Sequence, residues 1–128
     1  MQMELFVGGT SQGKLEYVLN EKRLPDSAAQ NGEELALDPP EGVRVLQHFE
    51  RYVQRLIDAG RDPAETALLL AERNPDILII SDEVGCGVIP ADDYDRIWRD
   101  GTGRVLCLLA ARAEHVTRII CGIGQKLK

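Results

Sequence analysis

An apolar run, Leu5-Phe6-Val7, breaks into Gly8-Gly9-Thr10-Ser11-Gln12-Gly13-Lys14, and an amphipathic segment, Leu15-Glu16-Tyr17-Val18-Leu19, follows at once. No other stretch restricts the fold as tightly, because strand, glycine turn and helix are the context a phosphate-binding loop requires. The spacing Gly8-x-x-x-x-Gly13-Lys14 matches that pattern up to its last position. Glycines let the backbone curl until successive N–H groups point inward, and the N-terminus of the following helix adds partial positive charge. Lys14 then reaches outer phosphates as a compact, mobile cation. Gly8, Gly9, Thr10, Ser11, Gln12, Gly13 and Lys14 are therefore the expected phosphate-binding set. The next position should be Ser or Thr, with its hydroxyl on Mg²⁺, but it is Leu15, which has no oxygen to offer. Thr10 and Ser11 leave the curl from other points and are poor substitutes. The competing reading is a glycine-rich turn that is only structural.

Composition narrows the setting. The chain has 128 residues, of which 44% are hydrophobic and 28% charged, as in an ordinary soluble globular protein. That length fits one domain, residues 1–128, able to bury roughly two-thirds of its unfolded surface. A net charge of −6 disfavours general attraction to nucleic acid or an anionic membrane. No apolar run reaches the length of a membrane span, and Glu4 interrupts the region where a signal peptide needs its apolar core. Cys86, Cys107 and Cys121 form no CxxC pair and read as reduced thiols of a cytoplasmic protein rather than a zinc site.

Along the chain, Arg23 to Glu33 is polar and reads as loop. Glu34 to Asp38 reads as a short strand ending at a carboxylate and stopped by Pro39-Pro40. Apolar residues at Val43, Leu46, Phe49, Tyr52, Val53, Leu56 and Ile57 have helical spacing to Ala59, with Gly60 as the stop. Asp62-Pro63-Ala64-Glu65 opens another helix, with an N-cap, proline at the first position and Glu at the third. It ends at Asn74-Pro75-Asp76. Ile77-Leu78-Ile79-Ile80 is the strongest strand signal, a run expected to be covered on both faces of a parallel sheet. A glycine-punctuated loop, Val84 to Pro90, leads to a helix capped by Asp92 or Asp93, which Gly101 and Gly103 are expected to bend or interrupt. Val116 to Cys121 reads as a last strand, with an edge strand after Gly122. Strands alternating with helices predict a three-layer α/β sandwich with a mostly parallel sheet, resembling P-loop nucleoside triphosphate hydrolases.

Three stretches together resemble one family. They are Gly8 to Lys14, the central Ser81-Asp82-Glu83-Val84-Gly85-Cys86-Gly87-Val88-Ile89-Pro90, and the closing Gly122-Ile123-Gly124-Gln125-Lys126-Leu127-Lys128. The chain is similar to the adenosylcobinamide kinase/adenosylcobinamide-phosphate guanylyltransferase family of cobalamin biosynthesis. Members resemble it in a Gly-Gly-x-x-x-Gly-Lys-Ser loop, an Asn-Glu-Val-Gly-x-Gly-Ile-Val-Pro segment, a Gly-Arg-Val-Asn-Gln helix and a Lys-x-Lys tail. Gly101-Thr102-Gly103-Arg104-Val105 sits where the Gly-Arg-Val piece belongs. The resemblance lapses in the middle, where the family is longer and carries a His-Arg-x-x-Arg-Pro region whose histidine becomes guanylylated. Neither His48 nor His115 has those flanks, so both read as structural histidines, and guanylyl transfer by that route is not expected. Leu15 in place of Ser, and Leu106-Cys107 in place of Asn-Gln, mark further divergence.

The resemblance implies GTP or ATP as cofactor, with Mg²⁺ put in doubt by Leu15, and a corrinoid such as cobinamide as partner. Lys14 and Glu83 are the candidate catalytic residues, and Arg104 is a candidate phosphate contact. Asp38 and Glu83 are the candidate metal carboxylates. Glu83 follows the best strand, at the carboxyl edge where ligands of parallel sheets bind. The opposite reading of each is plain: a brace for the glycine loop, an exposed helix arginine, a turn residue before Pro39. Two functions stay open, a nucleotide-dependent kinase and a non-catalytic binding module that keeps the fold. Self-association is one way such a shortened domain covers apolar surface.

Overall fold

Ile77 to Ile80 lies at the heart of the protein, each residue at most 2% exposed. The computed structural model describes residues 2–84 and 92–128. The Gly85–Pro90 part of the expected loop, with Cys86, lies outside the described residues. Around this run six strands form one sheet in the order β2-β3-β4-β1-β5-β6. They are β1 (Glu4–Gly8), β2 (Ala29–Asn31), β3 (Val45–Gln47), β4 (Leu78–Asp82), β5 (His115–Ile120) and β6 (Ile123–Lys126). All neighbours are parallel except the β5–β6 pair. The helices are α1 (Lys14–Lys22), α2 (Phe49–Asp58), α3 (Pro63–Arg73) and α4 (Asp93–Arg112), with a 3-10 turn at Asp26–Ala28.

Strand alternation sorts the core into two layers. Leu5, Leu46, Ile77 and Ile79 join the layer under α2, α3 and α4, with Phe49, Tyr52, Leu70 and Leu109. Phe6, Val45, Leu78 and Ile80 face the other way, onto Val18 and Leu19 of α1. Consecutive apolar residues in one strand thus serve opposite faces, which is why these strands read as unbroken apolar runs. Each fully buried side chain of this size is worth about 1.5–3 kcal/mol relative to exposure.

The three-layer α/β sandwich with a mostly parallel sheet is as expected, and four local features differ. Residues 29–31 form the edge strand β2 instead of loop. Ala29-Gln30-Asn31 is too short to carry a pattern, and only pairing with Val45–Gln47 makes it a strand. Glu34 to Asp38 is turn and bend, not strand. Residues 45–47 are strand where helical spacing ran on from α2, because Val45 and Leu46 pair with Leu78 and Ile79. Finally, α4 runs unbroken through Gly101 and Gly103. At Gly101 the missing Cβ leaves room for Ile57, whose Cδ1 would stand 3.2 Å away, so the glycine serves the packing of α4 on α2. The Asp62 cap is as read: its side chain accepts from Ala64 N. Buried Asn74 closes α3, bonding Leu70 O, Pro40 O and Val43 N.

Two connections prepare a crevice. The chain leaves β1 into α1 on one face, whereas α2 to α4 cover the other. β1 and β4 are neighbours, with Gly8 in register with Asp82. At the carboxyl edge of such a pair the crossovers part, and that is where open α/β sheets bind ligands.

Candidate functional site

Lys14, the first residue of α1, is only 8% exposed, although its side chain ends in a cation. Its Nζ donates to Gly9 O at 2.7 Å and pairs with Asp82 Oδ1 at 2.6 Å. The loop therefore wraps its own lysine. Gly13 takes a left-handed backbone, φ 77°, and offers no side chain to cap α1. Among the described residues, no hydrogen bond engages the backbone N–H groups of Thr10, Ser11, Gln12 or Gly13. These amides and the uncapped first turn of α1 leave several donors beside one cation.

The loop is held from three sides. Gly8 runs so close to β5 that a Cβ there would collide with the Ile119 carbonyl. Gln12 accepts from Cys121 N through its side chain at 2.7 Å and from Gly122 N through its carbonyl at 2.9 Å, tying the loop to the β5–β6 turn. Glu83 N donates to Gly8 O at 3.0 Å.

Asp82 ends β4 with both oxygens engaged, since Thr10 Oγ1 donates to Oδ2 at 3.2 Å. Its own N–H donates to Glu50 Oε1 at 2.9 Å. Glu50 is 3% exposed, and its other oxygen lies 3.6 Å from His48 Nδ1 and 4.0 Å from Arg51 Nε. Trp98 Nε1 donates to Glu50 O at 2.9 Å, and Arg51 stacks over the Trp98 ring, 4.9 Å from its centroid. A cleft of about 310 Å³ opens above this set, lined by residues 10–16 with Gln47, His48, Ile80 and Asp82.

Of the residues singled out from sequence, Gly8 to Lys14 come together here. Glu83 stands beside the loop, but its carboxylate pairs with Arg118 at 3.4 Å and does not line the cleft. Arg104 is exposed on α4, away from the cleft lining. Asp38 pairs with Arg73 at 3.1 Å and lines a separate concavity with Arg61, Asp62 and Glu65. The structure thus does not bring Asp38 to Lys14, since residues 34–38 never enter the sheet whose carboxyl edge would have carried it there. His48, Glu50 and Gln47 were not read as site residues. Their signal was the end of a strand, and helical spacing across Val43 to Ala59 concealed it.

Metal donors are few. Among the described residues no three His, Cys, Asp or Glu side chains converge as a metal cage. Mg²⁺ on a nucleotide needs less, commonly one or two carboxylates besides the phosphates. Asp82, with the Thr10 hydroxyl beside it, is the donor pair that faces the cleft. Leu15 lines the same cleft but packs its side chain against the α1 layer.

A mostly parallel sheet with a glycine loop curled round a lysine, between the central strand and its helix, defines an α/β protein of the P-loop type. Within that class the chain belongs to the cobinamide kinase / cobinamide phosphate guanyltransferase family, whose model matches residues 44–127. That match runs from β3 to β6, so it does not rest on the glycine loop. The chain is similar to a bifunctional adenosylcobalamin biosynthesis protein CobU from Salmonella typhimurium, with 35% identity over 77 residues, 59% of this chain and 41% of the relative. It is also similar to the protein of that name from Escherichia coli, with 40% identity over 52 residues, 41% of this chain and 29% of the relative. The matched stretches thus span less than half of either relative's length. No helix among the described residues is long and apolar enough to cross a membrane.

Proposed function

We propose that the cleft binds the phosphates of GTP or ATP and that the chain transfers phosphate to the hydroxyl of a corrinoid such as cobinamide. One observation carries the reading: a nearly buried lysine at a helix start, under a loop whose amides engage none of the described residues, opens onto a cleft of nucleotide-phosphate dimensions. Family membership supports the corrinoid. On this reading Lys14 exchanges Asp82 for an outer phosphate, and the loop amides hold the other oxygens. Phosphoryl transfer depends mainly on such positioning and charge neutralisation, which a small domain can supply. Mg²⁺, when bound, spreads the phosphate charge, and Asp82 is the residue that would hold it. Glu83, paired with Arg118 and bonded to Gly8 O, braces the start of the loop.

A second reading has an observation of its own. The Lys14–Asp82 pair already neutralises the cradle, as a loop kept only for structure would. That reading makes the chain a non-catalytic module. Calorimetric titration with GTP and with ATP, each with and without Mg²⁺, separates the two. Binding that Lys14→Ala weakens by about a hundredfold, the scale of a charged hydrogen bond, supports the phosphate site. No binding of either nucleotide leaves the loop structural.

A further inference from the structure

His48 ends β3 in a left-handed backbone, φ 55° and ψ 44°, and serves as the N-terminal boundary of α2 without capping it. A non-glycine residue there costs about 1–3 kcal/mol and persists only where its surroundings impose it. They do so here. Gly32 N donates to Gln47 O at 2.8 Å, and a Cβ on Gly32 would collide with the His48 carbonyl. That carbonyl also accepts from Arg51 N at 3.0 Å and Tyr52 N at 3.3 Å. The backbone geometry swings the imidazole to the wall of the cleft that holds Lys14 and Asp82, with the side chain 45% exposed.

Behind the ring stands Glu50, buried and fixed by the Asp82 amide, with its other oxygen 3.6 Å from Nδ1 and 4.0 Å from Arg51 Nε. This is ion-pair range rather than a hydrogen bond, and such contacts commonly tighten only when substrate is bound. A carboxylate can only accept, so it favours the neutral tautomer protonated at Nδ1 and leaves the Nε2 lone pair free. Rival bases are poorer: Asp82 keeps Thr10 on Oδ2 and, on the reading above, is the carboxylate that would hold Mg²⁺, and Glu16 is an exposed carboxylate on the first turn of α1.

We propose that His48 is the proton acceptor for phosphoryl transfer in this cleft, oriented by Glu50. The inference rests on the reading of the cleft as a nucleotide-phosphate site. The acceptor hydroxyl oxygen bonds to the γ-phosphorus. The bond from that phosphorus to the β–γ bridging oxygen breaks, its electron pair leaving with the nucleoside diphosphate. The hydroxyl proton passes to His48 Nε2. The charged groups near the ring are Glu50 and Arg51 of α2, and Lys14 and Glu16 of α1 and Asp82 of β4, which line the same cleft.

The test compares the wild type with His48→Asn, which tolerates the left-handed backbone but takes no proton, and with His48→Gln. Nucleotide affinity is read by calorimetry, and transfer from GTP or ATP to cobinamide by single turnover across pH. Both variants should bind nucleotide within about threefold of wild type and lose transfer by about 10²–10³-fold, with partial rescue by added imidazole. The acidic limb of the wild-type pH profile should vanish in both. Transfer at the wild-type rate in His48→Asn overturns the proposal. So does loss of nucleotide binding in step with transfer, which makes His48 a phosphate ligand. A wild type that binds nucleotide but transfers nothing also overturns it and leaves the binding reading standing, whereas no binding at all removes both.

Discussion

Lys14 Nζ and the Asp82 carboxylate meet at 2.6 Å across the mouth of the glycine loop, one 8% and the other 22% exposed. The pair joins the end of β4 to the start of α1 and places an internal anion where the loop's cation would meet a phosphate. It exists because β1 and β4 are parallel neighbours with Gly8 opposite Asp82. Each partner is partly shielded from water, so the interaction is stronger than that of an exposed surface pair.

Asp82→Asn should therefore act in two opposite directions. Without metal, nucleotide binding should tighten by about tenfold, because phosphate no longer competes with a carboxylate for Lys14. The strengthening by Mg²⁺ expected of the wild type should disappear, because the cleft carboxylate beside the Thr10 hydroxyl is gone. Calorimetry with and without Mg²⁺ checks both effects. Weaker metal-free binding in the variant would mean that Asp82 positions the loop rather than competing for its lysine.

Gly8→Ala tests how the loop is seated. The added methyl meets the Ile119 carbonyl of β5, a backbone atom that cannot retreat without disturbing the β1–β5 ladder. A loss of about 1–3 kcal/mol is expected, read as a lower Tm. Gly103→Ala is the matched control. It lies in the interior of α4 with nothing near its missing Cβ, and should stabilise by up to about 1 kcal/mol.

Tyr52 gives the fold an alkaline limit. Its ring is fully buried, and its hydroxyl donates to Ala36 O at 2.7 Å. Burial pushes the phenol above its ordinary 10.0, against the pull of Arg55 and Arg61. A raised value means that the folded state holds the proton more firmly than the unfolded chain does. The stability from this group is complete below the unfolded value of about 10 and is lost as pH rises through the higher folded value. Tyr52→Phe should cost about 1 kcal/mol at neutral pH and flatten the fall in stability above about pH 10, followed by urea unfolding against pH.

Much of the architecture was legible because it follows from local patterns. Leu5 to Val7 and Ile77 to Ile80 are apolar on both faces, Asp62-Pro63 is a helix start, and Gly8 to Lys14 sets a curl that few other sequences allow. The site was less legible. In the sequence Asp82 is one residue of the Ser81 to Pro90 stretch and His48 one within a run of helical spacing, and no local pattern distinguishes the positions they take in the fold. Asp38 was the converse, a carboxylate in a promising position whose segment turns away and pairs with Arg73.

Local sequence sets the alternation of strands and helices, the phosphate-type loop and the missing hydroxyl at Leu15, since these depend on neighbours within a few residues. Tertiary structure decided that residues 29–31 and 45–47 are strands, that Asp82 faces Lys14, and that Glu50 stands behind His48. The pairings behind them join residues from about sixteen to about seventy positions apart, and Glu50 is fixed behind His48 by the distant Asp82 amide. Strand register and the side of the sheet on which each crossover leaves set such pairings, and neither is written in any short stretch of the chain.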